Sequence, residues 1–255
     1  MTGAASGIGE AVAHRLRADG WSVVAVDRDA AGLTDFTAES DPPCASVVGD
    51  VADAETHQRA RTEASAIGTL QAWISVAGIT EPHDLHDLDH DSARRLIEVN
   101  QMGPLLGAAE AVTEFTNSGT AGVVVQISSV HASRAAYGYP IYEMTKAAGE
   151  ALTRSIAVTY GHLGIRSIGI APGAVETPAL TESIQQSPDP VARRDRLAWS
   201  SPLGRMGQPS EIADVVAFAV SEQATFISGT TIMVDGAMTA VLMRRTPQDS
   251  AEEAP

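Results

Sequence analysis

The sequence predicts an α/β fold built on a doubly wound parallel sheet, and three observations carry that prediction. Short apolar runs alternate with segments of helical period. A glycine-rich stretch, Thr2 to Gly9, runs straight into the first helical segment. The 255 residues suffice for one core of this kind, with neither an internal repeat nor a linker to divide it. Strand–helix alternation of this length reads as a parallel sheet covered on both faces, with right-handed crossovers.

Along the chain, a helix over 7–19 follows the glycines, and the apolar run SVVAV gives a strand over 22–26. A helix over 29–38, a strand over 45–48 and a helix over 54–67 come next. AWISV predicts a strand over 72–76, and the long periodic stretch 89–116 one helix that Asp89 can cap. GVVVQI marks a strand over 122–127, followed by a helix over 140–160 and a strand over 165–170. Residues 179–202 are the longest irregular stretch and hold three prolines, which suggests a lid or binding loop. A helix over 210–220 and a strand over 231–234 complete the fold. Residues 1–240 form the one domain; 241–255, ending in the polar TPQDSAEEAP, are expected to be a disordered tail.

One element is expected and not found. A glycine-rich phosphate loop follows a strand in dinucleotide-binding folds, yet only Met1 precedes Thr2. The first strand, which belongs in the middle of the sheet, is missing, leaving a gap with two rows of unpaired backbone groups. The expectation is a start upstream of Met1, or a trimmed or truncated N-terminus.

Seventeen basic against 32 acidic side chains give a net charge of −15, which argues against nucleic acid and anionic membranes as partners. Cys44 is the only cysteine, so the chain makes no internal disulfide. No secretory leader is legible at the N-terminus, and no run of about 18 apolar residues occurs. These features point to an intracellular, cytoplasmic protein that does not span a membrane.

Tyr142-Glu143-Met144-Thr145-Lys146 carries the chemistry, with Ser129 thirteen residues before the tyrosine. Tyrosine and lysine at i and i+4 share one helix face. The lysine charge favours tyrosinate and brings a phenol of ordinary pKa about 10 nearer to working pH. A serine at the end of the preceding strand can hold a substrate oxygen beside it. YxxxK alone equally fits an amphipathic helix. It gains force from TGAASGIG, whose glycines let backbone approach a pyrophosphate at a helix N-terminus. Asp27, eighteen residues after Gly9, can accept hydrogen bonds from ribose hydroxyls, or cap a helix. It would repel a 2′-phosphate, whereas the adjacent Arg28 could tolerate one.

The order TGAASGIG, Asp50–Val51, Val76–Gly78, Asn100, ISSV, YEMTK, PGAVETP and VDGAMTA resembles the short-chain dehydrogenase/reductase family from Thr2 to about Ala240. The resemblance implies a seven-stranded Rossmann fold, a nicotinamide dinucleotide cofactor and a homotetramer. It implies a catalytic tetrad of Asn100, Ser129, Tyr142 and Lys146. By the same resemblance Gly3, Ser6, Gly7, Ile8 and Gly9 meet the pyrophosphate, Asp27 selects the ribose, and Asp50 and Val51 meet adenine. Ala77 and Gly78 line the middle of the cofactor, Tyr142 and Lys146 meet its ribose side, and Pro172, Gly173, Val175 and Thr177 its nicotinamide side. The chain departs at Ser75–Val76, where the family usually has two asparagines; Ser75 would brace the loop with one hydroxyl, less rigidly.

Three features are less specific. HDLHDLDH, His83 to His90, reads as a solvated acidic loop rather than a metal site. His131 and Tyr139 fit a substrate pocket wall, and Trp199 with Leu197 and Leu203 a lid, although packing explains each equally. The implied activity is NAD-dependent hydride transfer between the cofactor and a secondary alcohol or ketone. The alternatives are an NADPH-dependent 3-oxoacyl reductase and a non-catalytic nucleotide-binding regulator, the latter disfavoured by a complete tetrad.

Overall fold

A computed structural model describes residues 1–36 and 41–242. The strands are β1 (Val24–Asp27), β2 (Ala45–Val48), β3 (Ala72–Ser75), β4 (Val123–Ile127), β5 (Arg166–Pro172) and β6 (Thr230–Val234). The helices are α1 (Gly7–Ala18), α2 (Ala54–Ile67), α3 (His90–Ile97), α4 (Gly103–Ser118), α5 (Pro140–Tyr160), α6 (Pro178–Gln185), α7 (Pro190–Ser200) and α8 (Pro209–Val220). Every strand pairing is parallel: β1 with β2, and β3, β4, β5, β6 in that order.

Alternation along the buried strands explains the two layers of helices. Val123 and Val125 join Ala25, Ile74, Ile168 and Ile170 on the face covered by α1 and α8. Val124 joins Val24, Val26 and Trp73 on the other face, under α2 and α4. Strands buried on both sides must be apolar throughout, as VVVQI nearly is.

Met1 and Thr2 occupy the seventh strand position. Thr2 bridges Val26 of β1 and Ser75 of β3 at once, joining the two sets of strands. Its N–H donates to the Ile74 carbonyl (2.9 Å), and the Val26 N–H to the Met1 carbonyl (2.9 Å). The Met1 ammonium, pushed down to about 5 by burial, donates to the Val24 carbonyl (2.7 Å). Behind it a groove runs between Trp21–Val24 and Leu70–Ile74. The expected central gap is therefore partly closed by two residues.

Three expected elements take another form. In 29–38 the described residues form one short 3₁₀ turn, Ala31–Leu33. Asp27 and Asp29 each accept a backbone N–H two residues on, from Asp29 and Ala31, and such turns compete with a helix. The 89–116 helix is interrupted by a π-helical segment, Glu98–Met102. Pro104 has no N–H to give the Asn100 carbonyl, so the α-helical ladder fails there. The 179–202 stretch holds two helices. Thr177 and Asp189 cap them, accepting from Leu180 and Ala192 N–H, and Pro178 and Pro190 fill their first positions. Residues 243–255 of the expected tail lie outside the described residues. Among the described residues no helix is long and apolar enough to cross a membrane.

Candidate active site

The site gathers at the carboxyl ends of the parallel strands. Ser129 follows β4, and Tyr142 and Lys146 lie one turn apart on α5, which packs across β4 and β5. The Ser129 hydroxyl sits at the Tyr142 phenol and lowers its pKa, against a larger upward push from burial. The Lys146 ammonium, pushed down to about 8 by burial, donates to the Ile127 carbonyl (2.9 Å) and lies 5.6 Å from the Tyr142 ring centre. The dominant influence on the phenol is thus burial, upward, which differs from the lysine-driven lowering expected from the sequence. Ser128 turns the other way and donates to Glu150 (3.0 Å), leaving Ser129 as the serine at the tyrosine.

Asn100, within the π-helical segment, clamps the backbone of Ile79: its Oδ1 accepts from the N–H and its Nδ2 donates to the carbonyl, both at 2.8 Å. A Cβ on Gly78 would lie 3.3 Å from Asn100 Oδ1 and 3.5 Å from Lys146 Nζ, so Asn100 and Lys146 converge over Gly78.

The glycine loop is built for close backbone approach. Gly3 has φ +71° and a Cβ there would lie 2.6 Å from Ala77 N; on Gly9 it would lie 1.8 Å from the Gly3 carbonyl oxygen. Gly7, φ +58°, faces the Thr177 methyl, which brings the loop against the PGAVETP segment. Ser6 precedes α1 and makes no side-chain cap, so the first-turn N–H groups of Gly7, Ile8 and Gly9 are open to an anion. This donor set suits a pyrophosphate.

Asp27 Oδ2 accepts from the Ala5 N–H (3.0 Å), which holds the carboxylate beside the glycine-rich loop. Asp50 pairs with Arg95 and accepts from Ala52 N–H (2.9 Å). Its carboxyl lies below the ordinary range because these hydrogen bonds and the Arg95 charge outweigh partial burial. The buried Val51 follows. Pro172 ends β5, Gly173 donates to the Val234 carbonyl (3.1 Å), Val175 is buried, and Thr177 spends its hydroxyl capping α6.

One bracing group was not foreseen. Ser75 Oγ is buried without a hydrogen-bond partner among the described residues. Thr2 Oγ1 faces the Val76 and Ala77 N–H groups instead, at 3.3 and 3.4 Å. The threonine of TGAASGIG was the signal, read only as part of the glycine motif.

His131 stands edge-on to Tyr142 (5.9 Å between ring centres) and 6.0 Å from Tyr139. Burial pushes its pKa down, against Glu143, whose carboxylate is 3.9 Å away. Trp199 lies half-exposed on α7. Asp89 caps α3, and His83 bonds Ser92 (2.8 Å). Among the described residues no cluster of three potential ligands could hold a metal.

A family profile described as enoyl-(acyl carrier protein) reductase matches residues 3–239. The chain is 35% identical over 246 residues to the cis-4-hydroxycyclohexanecarboxylate dehydrogenase of Sinomonas cyclohexanicum, covering 94% of this chain and 96% of that one. It is 33% identical to the (3R)-3-hydroxyacyl-CoA dehydrogenase of Mus musculus, covering 93% and 94%. The ligand-free aldohexose dehydrogenase of Thermoplasma acidophilum superposes with a TM-score of 0.86 at 27% identity, covering 96% and 95%. A solved short-chain dehydrogenase/reductase family protein gives 0.83 at 30%, covering 94% and 96%. With dehydrogenases of hydroxyl groups matching nearly end to end, and a family profile covering residues 3–239, the chain belongs to the short-chain dehydrogenase/reductase family of oxidoreductases.

Proposed function

We propose that this protein is an NAD-dependent dehydrogenase that interconverts a secondary alcohol and its ketone. The observation that carries this reading is the convergence of Ser129, Tyr142 and Lys146, with Lys146 over Gly78 and the neighbouring Ala77 against Gly3 of the loop that opens α1. A nicotinamide dinucleotide supplies the hydride acceptor or donor when bound. Gly3, Ser6, Gly7, Ile8 and Gly9 would hold its pyrophosphate, Asp27 its adenosine ribose, and Asp50 and Val51 its adenine. Ala77 and Gly78 would line its middle, and Pro172, Gly173, Val175 and Thr177 its nicotinamide end.

The proton chemistry belongs to the chain. Ser129 orients the substrate oxygen toward Tyr142. Burial keeps the phenol protonated, ready to donate to a ketone oxygen; in the reverse direction the phenolate takes the alcohol proton. Lys146 supports the phenolate by its charge. Asn100 fixes the Ile79 loop beside Lys146. His131, Tyr139 and Trp199 are proposed substrate contacts.

NAD is favoured over NADP because Asp27 is pinned at Ala5, where its charge opposes a 2′-phosphate. Steady-state kcat/KM with each cofactor tests this. The expected result is a clear preference for NAD that narrows in Asp27→Ala; equal or better use of NADP by the natural protein contradicts it. Substrates are best sought among ring hydroxyls, hydroxyacyl thioesters and sugars, the classes named in its relatives.

A further inference from the structure

A buried polar pair stands behind the adenine end of the proposed cofactor site. His57 on α2 is 1% exposed, and its Nε2 lies 2.8 Å from the Val51 carbonyl oxygen. A carbonyl only accepts, so Nε2 carries the proton and Nδ1 presents a lone pair. Nδ1 is buried without a hydrogen-bond partner among the described residues, and so is Nε1 of Trp73 on β3. The two rings stand 5.9 Å apart. Both atoms converge on Gly107 of α4: a Cβ there would lie 2.5 Å from Trp73 Nε1 and 3.2 Å from His57 Nδ1. The indole N–H and the imidazole lone pair have matched polarity across that point. Gly107 thus lets an aromatic wall form that keeps the imidazole aimed at Val51.

The start of α4 packs closely on Val51 as well. A Cβ on Gly103 would lie 3.1 Å from its Cγ2 and 3.2 Å from its carbonyl oxygen. The residue meets both the start of α4 and the His57 ring. We propose that His57 is a positioning residue for the adenine pocket, holding Val51 by its carbonyl so that the Asp50–Val51 segment presents a fixed edge to the base. The proposal rests on the nicotinamide dinucleotide reading above. His57 touches no ligand itself and acts through Val51.

The test uses ADP-ribose, the half of the cofactor that reaches this pocket, in calorimetric titrations that need no knowledge of the substrate. The natural protein is expected to bind it; no binding would overturn the dinucleotide reading itself, before any variant is made. His57→Phe keeps a ring but cannot donate to Val51, and ADP-ribose should bind roughly three- to ten-fold more weakly, the range expected for one lost hydrogen bond. His57→Gln places an amide N–H where Nε2 stood and should return affinity to within about two-fold. If His57→Phe fails to fold, His57→Asn, too short to reach Val51, takes its place with the same expectation. Unchanged ADP-ribose affinity in the loss variant overturns the inference. So does an equal loss in His57→Gln, which would mark His57 as packing alone.

Discussion

At the scale of single residues, the site turns on two buried ionisable groups that burial moves in opposite senses. Tyr142 is pushed up and Lys146 down to about 8. The lysine shift has a sign that stability can read. Between about 8 and its ordinary 10.5 the unfolded chain binds more protons at this position than the folded one, so stability rises with pH through that window. Tyr142 acts the other way, between its ordinary 10 and its raised folded value, above the range used here. Thermal melts between pH about 8 and 9.5 should therefore show a more positive slope in the natural protein than in Lys146→Met; equal slopes would mean that Lys146 is not so perturbed. Gly9→Ala belongs to the same scale. Its Cβ would meet the Gly3 carbonyl at 1.8 Å, backbone against backbone, with no flexible side chain to yield. Overpacking of this kind costs about 1–3 kcal/mol or more, and urea melts with NAD titrations should show lower stability together with lost binding.

At the scale of elements, the interruption of the long helix at 98–102 places Asn100 against Ile79. Asn100→Ala would remove both hydrogen bonds to that backbone, at a cost of about 1–3 kcal/mol for each polar group left unpaired. A fall in melting temperature of several degrees, with reduced turnover, is the expected outcome; an unchanged melting temperature would show that the clamp is dispensable. The same region shows what the sequence could and could not reveal. The spacing of Ser129, Tyr142 and Lys146 was legible because one strand end and one helix face fix it. The helix break was less so, since apolar periodicity runs through 89–116 while the signal, a missing N–H at Pro104, is local. Thr177-Pro178 and Asp189-Pro190 open two helices where the proline count suggested irregular chain. Thr2 as the brace of Val76 and Ala77, and His57 behind Val51, depend on contacts across 74 and 6 residues that no local pattern announces.

At the scale of the whole molecule, several large apolar side chains stand in solvent on α4, α5 and α8 and near β6. Met102 and Leu105 lie at the start of α4, and Met144 and Val158 on α5; Phe218 on α8, Phe226 and Met233 lie near or on the sheet edge. We expect a homotetramer, with one two-fold contact through α4 and α5 and another through α8 and β6, where these side chains lie. Light scattering at micromolar concentration should give the mass of four 26.5-kDa chains, and a monomer would contradict it. The central claim, proton transfer by Tyr142 coupled to hydride transfer with NAD, has a more direct test. The absorbance of reduced nicotinamide is followed with NAD and a panel of ring alcohols, hydroxyacyl thioesters and sugars, for the natural protein and Tyr142→Phe, with NAD affinity measured alongside. The account predicts turnover of at least one secondary alcohol by the natural protein, a loss of about 10²–10⁴-fold in Tyr142→Phe, and unchanged NAD affinity. Turnover by Tyr142→Phe within a few-fold of the natural protein would contradict it.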